Sequence, residues 1–196
     1  MSWFGWGLGE RMPELLIGCG NRRDKRIAYE GGWGWSDLTT LDIDPDAGAD
    51  VLHDLNDLPY PFADDQFDEI HAYEVLEHIG RQGDWRFFFA QFSEFWRILK
   101  PGGVLCATCP SASSRWAWGD PGHTRVIQPE SLIFLQQPQY AQVGITSLTD
   151  YRAVFQADFD LVLSEDDGES YRFGLRAVKP SRIQPKAKPG PVGPAA

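Results

Sequence analysis

The sequence predicts an α/β fold built on a largely parallel sheet, and three observations carry that prediction. Short apolar runs recur up to Pro110, most of them continuous rather than alternating, as in strands covered on both faces. A glycine-rich turn, Gly18-Cys19-Gly20, directly follows the first run. A long amphipathic segment separates the fourth and fifth runs, as a helical crossover between parallel strands requires.

Residues 14–18 form the first strand, 38–43 (LTTLDI) the second, 49–54 (ADVLHD) a short third and 67–73 (FDEIHAY) the fourth. Residues 102–109 (GGVLCATC), after the turn Lys100-Pro101-Gly102-Gly103, form the fifth. The helix between the fourth and fifth is 83–99, with Trp85, Phe88, Phe89, Phe92, Phe95, Trp96 and Leu99 on one face. Asp84 suits its positive end, and Pro101-Gly102 stops it. Two further helices are expected at 128–138 and 147–158. Residues 159–165 and 171–178 are alternating runs joined by the polar DDGES, which reads as a hairpin. The stretch 180–196 has five prolines and no acids, so a disordered tail is expected after a single domain over 1–179. No internal repeat is present.

The chain of 196 residues is 42% hydrophobic and 23% charged, ordinary for a globular protein. It has no apolar run long enough to span a bilayer and no signal-peptide pattern at its start, so a cytoplasmic protein without membrane association is expected. Of three cysteines, Cys106 and Cys109 have CxxC spacing but no second pair. They read as buried thiols, and no metal site is expected. The net charge is −10, and between Ile27 and Gly80 fourteen acids face no Lys or Arg. Nucleic acid is a disfavoured partner for such a surface. The basic cluster Arg22, Arg23, Lys25 and Arg26 reads as a solvated face or loop.

The motifs together resemble the class I S-adenosylmethionine-dependent methyltransferases. LLIGCGN (15–21) is similar to the family's first motif and LDIDP (41–45) to the acidic end of its second strand. LHDLNDLPYPFADDQFDEIHAYEVLEHI (52–79) resembles its middle block, and EFWRILKPGGVL (94–105) the lead into its fifth strand. The resemblance covers about residues 14–110 and is nearest to the branch called methyltransferase domain 11. The whole chain, with WAWGDPGHTRVI (116–127), also looks like compact methyltransferases of phage and bacterial genomes. The resemblance implies a Rossmann-like, doubly wound seven-stranded sheet of order 3-2-1-4-5-7-6, its last strand antiparallel, with helices on both faces. It implies S-adenosylmethionine as cofactor and S-adenosylhomocysteine as product. Arg23 stands where a dinucleotide-binding turn has its third glycine. A cofactor without a pyrophosphate does not need that glycine.

By the same resemblance, Gly18, Cys19 and Gly20 approach the methionine and ribose. Asp42 accepts from the ribose hydroxyls and Ile43 flanks the adenine. Asp54 accepts from the adenine amino group, and Leu55 packs on the ring. Ala72 and Tyr73 offer carbonyls to the methionine amino group, with Tyr73 also walling the reaction site. His78 and His123 are the candidates for a catalytic base, each with a structural histidine as the alternative. Trp116, Trp118, Asp120 and Arg125 belong to a loop placed to cover substrate, Arg125 as a clamp for an anionic group. Residues 21–35 are short and glycine-rich for a crossover helix, so a truncated helix or a loop is expected there. The acceptor is open: a small molecule, glycan or protein. A homo-oligomer is also open. The rivals are an NAD-binding oxidoreductase, disfavoured by the missing third glycine and the closing hairpin, and a non-catalytic scaffold. A nucleic-acid methyltransferase is disfavoured because HAYEVLEH stands where an N/D-P-P-Y/F/W motif would.

Overall fold

The computed structural model describes residues 11–29 and 32–183. Seven strands form one sheet in the order β3-β2-β1-β4-β5-β7-β6. The strands β1 (Pro13–Ile17), β2 (Asp37–Asp42), β3 (Val51–Leu52), β4 (Phe67–Tyr73) and β5 (Leu99–Pro110) run parallel. The hairpin β6 (Phe159–Asp166) and β7 (Ser170–Ala177) closes the sheet, with β7 antiparallel between β5 and β6. Strand order and hairpin agree with expectation. The readings for residues 1–10 and 184–196 fall outside the described residues.

The helix α1 (Trp85–Ile98) starts where the Asp84 carboxylate accepts from the Phe87 N–H, a side-chain cap on a free backbone donor. Its Phe89, Phe92, Phe95 and Ile98 join Leu15, Ile17, Ile70, Leu105 and Phe155 in the larger core. The aromatic face is therefore helix-to-sheet packing. The short helices α2 (Trp116–Gly119) and α3 (Pro129–Leu132) follow β5.

The opposite face departs from expectation. Its core is Leu16, Cys19, Ile27, Tyr73, Val104 and Cys106, and no helix contributes. The loop after β1 lies across it instead, so among the described residues helical cover is confined to one face. A polar network holds this loop. Glu14 and Glu69 stand opposite each other on β1 and β4, both buried. Lys25 reaches between them, its Nζ 2.5 Å from Glu14 and 2.7 Å from Glu69. Burial alone would lower the Lys25 pKa, but the two carboxylates outweigh it and the net shift is upward. The basic cluster is a loop, as expected, with Arg22 and Arg26 exposed, but Lys25 is buried. Arg23 is also committed: its guanidinium donates to the carbonyls of Gly20, Arg22, Ala47 and Gly48, stapling the glycine turn to the chain after β2.

Two more expectations change. Residues 147–158 form no helix. The Asp150 carboxylate accepts from the backbone and guanidinium of Arg152, a local alternative to helical bonding. The buried Asp158 carboxylate accepts from Gln137 and from the backbone and guanidinium of Arg182. That pairing also keeps the first residues of the expected tail docked through Arg182. The 128–138 helix is short: α3 gives way to 3-10 turns through Gln142.

Candidate cofactor cleft

A cleft of about 330 Å³ opens at the carboxyl ends of β1, β2 and β4, where open parallel sheets bind ligands. Gly18, Asp42, Ile43, Asp54, Leu55 and His78 line it, with Leu41, His53, Asn56, Val75 and Ile79. Six of the residues singled out in the sequence thus converge.

Asp42 closes β2 and is nearly buried. Its Oδ2 accepts from the Gly20 N–H at 2.7 Å and its Oδ1 from the Asp44 N–H at 2.9 Å. Each oxygen keeps acceptor capacity beyond these bonds, so the carboxylate is held rigidly and can still receive two hydroxyls. Ile43, 61% exposed, offers a flat apolar surface beside it. Asp54 turns the chain after β3, its Oδ1 accepting from Asn56, and Leu55 is buried behind it. A nearly buried acid, an open aliphatic wall and a glycine turn fit a ribose-bearing, cationic cofactor without phosphate.

The two glycines of the turn differ in what surrounds them. Gly18 has φ +59°, and a β-carbon there would lie 2.3 Å from a Val75 methyl. The close approach is made by the protein itself. Gly20 has φ +48°, and a β-carbon there would meet nothing within 4 Å, so space is open on that side. The Cys19 side chain packs in the second core, and burial raises its pKa. Ala72 is fully buried. Tyr73 points to the loop face, where its hydroxyl accepts from the N–H groups of Arg26 and Ile27 and meets His71 Nδ1 at 2.6 Å. Its ring does not wall the reaction site, and only the backbone of Ala72 and Tyr73 remains for a ligand.

The two candidate histidines come together. The rings of His78 and His123 meet edge to face at 4.6 Å. His78 Nδ1 is 3.0 Å from the Gly122 carbonyl, and His123 Nδ1 is 2.8 Å from the Trp116 carbonyl. The loop is tied to the turn after β4 through Thr124 N–H to the Glu77 carbonyl at 2.8 Å. Asp120 Oδ1 accepts from the Gly122 N–H, shaping the loop rather than bonding His123, from which it is 3.9 Å away. Trp116 and Trp118 are exposed beside this site. Arg125 is not a clamp: it is buried and donates to the Leu76 carbonyl and to Gln91 Oε1. Burial pushes its pKa down to about 10.

Sequence reasoning missed Glu77. Its side chain is buried beneath His78 and His123, and neither carboxylate oxygen has a hydrogen-bond partner. The Cys109 thiol and the Glu74 carboxyl lie beside it. Burial, with the nearby Glu74 carboxylate adding to it, raises the Glu77 pKa to about 8. Its position directly before His78 in EVLEH was the available signal.

A parallel sheet reversed by one antiparallel strand, with an acid at the end of β2 facing a glycine turn, defines the class I methyltransferase architecture. Residues 15–107 match the family model of the methyltransferase domain. Over these residues the chain carries a methyltransferase-type domain, similar to that of S-adenosylmethionine-dependent methyltransferases. A solved S-adenosylmethionine-dependent methyltransferase from Archaeoglobus fulgidus shares the fold at TM-score 0.51 and 14% identity, over 85% of this chain and 86% of that one. The N-methyltransferase NodS from Bradyrhizobium japonicum, solved with S-adenosylhomocysteine, is similar at TM-score 0.46 and 17% identity, over 85% and 78%. A complex of the Haloferax volcanii Trm112 methyltransferase activator with a methyltransferase is similar at TM-score 0.48 and 14% identity, over 86% and 84%. No curated protein matches the sequence. Among the described residues no helix is long and apolar enough to cross a membrane.

Proposed function

We propose that this chain methylates a small molecule, glycan or protein rather than a nucleic acid, with its acceptor entering beside His78, His123, Trp116 and Trp118. The convergence of Asp42, Ile43, Asp54 and Leu55 in one cleft carries the cofactor assignment of these residues. When bound, S-adenosylmethionine supplies a methyl group on a positively charged sulfur, already activated for displacement. The chain's task is then alignment in a site sheltered from water. Asp42 fixes the ribose end, its geometry set in advance by the Gly20 and Asp44 N–H groups. Ile43 and Leu55 hold the adenine between apolar surfaces, and Asp54 reads its amino group. The carbonyls after β4 face the methionine end.

The acidic balance speaks against a polyanionic acceptor. Of the basic cluster after the glycine turn, Lys25 is buried between carboxylates and Arg23 is occupied by carbonyls, which leaves Arg22 and Arg26 exposed against that balance. Calorimetric titration with S-adenosylhomocysteine tests the cofactor assignment. Asp42→Ala is expected to weaken binding by about tenfold or more, the scale of one or two charge-assisted hydrogen bonds. Unchanged affinity would refute the ribose role of Asp42.

A further inference from the structure

Glu77 is not used by cofactor binding, yet its surroundings are organised around it. Glu77 is 2% exposed and neither of its oxygens meets a donor in hydrogen-bond geometry, so its anionic form is unfavourable unless a cation completes it. One donor atom each from Glu77, His78 and His123 lie within 4.8 Å of one another. The imidazoles are already set in orientation. Each Nδ1 is bonded to a backbone carbonyl, Gly122 for His78 and Trp116 for His123. A carbonyl only accepts, so each Nδ1 donates its proton there and each Nε2 is the nitrogen left to meet a ligand. That is how imidazoles bound to metals are held in tautomer and angle. A β-carbon on Gly122 would lie 3.2 Å from His78 Nδ1, so the glycine lets its carbonyl reach the ring.

We propose that Glu77, His78 and His123 form a binding site for a divalent transition-metal cation at the rim of the cofactor cleft. Two imidazole nitrogens and one carboxylate oxygen suit Mn²⁺, Fe²⁺, Co²⁺ or Zn²⁺ and leave coordination positions open. Glu74, close enough to influence Glu77, adds negative charge. His78 also lines the cofactor cleft, so the site borders the space assigned to the acceptor. The acceptor class that fits them is a hydroxyl compound, whose oxygen binds such a cation and becomes more acidic on it. This acceptor assignment rests on the methyltransferase reading; the cation site does not. It departs from the sequence expectation of no metal, which weighed only the cysteines. A second grouping of donors, Glu14, Glu69 and His71, differs because the Lys25 ammonium already stands between its carboxylates.

The test is a titration of the full chain, freed of metal by chelation, with MnCl₂ followed by electron paramagnetic resonance and with ZnCl₂ followed by calorimetry. One saturable site per chain is expected, with pulsed spectra of bound Mn²⁺ showing coupling to imidazole nitrogen. Glu77→Gln and His123→Gln should each weaken binding at least tenfold, with circular dichroism confirming the fold. Asp42→Ala should bind Mn²⁺ like the parent while losing S-adenosylhomocysteine, which separates this proposal from the cofactor assignment. No saturable binding below millimolar metal, no nitrogen coupling in the parent protein, or affinity unchanged in folded Glu77→Gln and His123→Gln would overturn it.

Discussion

Gly18 holds φ +59° with Val75 packed where its β-carbon would stand. Two separate costs follow for Gly18→Ala. The left-handed conformation costs a non-glycine residue roughly 1–2 kcal/mol, and overpacking typically adds about 1–3 kcal/mol. Urea denaturation is expected to show a loss of roughly 2–5 kcal/mol. Pairing it with Val75→Ala separates the two, because the truncated valine relieves the clash and not the backbone strain. The double variant should therefore be more stable than the sum of the singles predicts, by about 1 kcal/mol or more. Strict additivity would mean that the contact with Val75 is not what demands a glycine. Val75 belongs to the turn that carries Glu77 and His78, so this contact also ties the glycine turn after β1 to that turn.

At the scale of the element, the loop after β1 does the work of a crossover helix by other means. A helix would cover the sheet with an apolar stripe. Here Trp35 packs edge-on against His71 at 5.0 Å, Lys25 bridges two strands, and Tyr73 receives two loop N–H groups. The facing carboxylates of Glu14 and Glu69 make Lys25 indispensable, because like charges opposite each other in a dry sheet repel strongly. Lys25→Met is expected to destabilise the fold by about 3–5 kcal/mol, the scale for removing one partner from a buried ion pair. Neutralising the acids as well, in Lys25→Met/Glu14→Gln/Glu69→Gln, should recover much of that loss in the same denaturation experiment. A triple variant no more stable than the single would show that packing of the lysine stem matters more than charge.

Over the whole molecule, the strands were legible because continuous apolar runs bounded by glycine and proline have few other uses. The run 67–73 became β4 with the same bounds. The cleft was legible because its walls follow directly on strand ends: Gly18 after β1, Asp42 at the end of β2, Asp54 and Leu55 after β3. What stayed hidden was buried charge. Glu14, Lys25, Glu69, Glu77 and Arg125 belong to residue types that are mostly exposed, and only the three-dimensional packing reveals that they are not. The same buried charge gives the molecule a pH response. His71 faces Glu69 at Nε2, the Tyr73 hydroxyl at Nδ1, the Trp35 edge, and Lys25 and Glu14 beyond. Burial is the largest influence, and the pKa is lowered from 6.5. The folded state therefore stays neutral at His71 where the unfolded chain already takes up a proton. Stability is unaffected by this group above pH 6.5 and falls as pH drops below it, by at most about 1.4 kcal/mol per pH unit. Urea denaturation between pH 7.5 and 5.5 should show this loss, and His71→Gln, which cannot titrate, should show a shallower one over the same window. Equal slopes in parent and variant would mean that the buried imidazole contributes no proton linkage and that carboxylates alone set the acid limit of the fold.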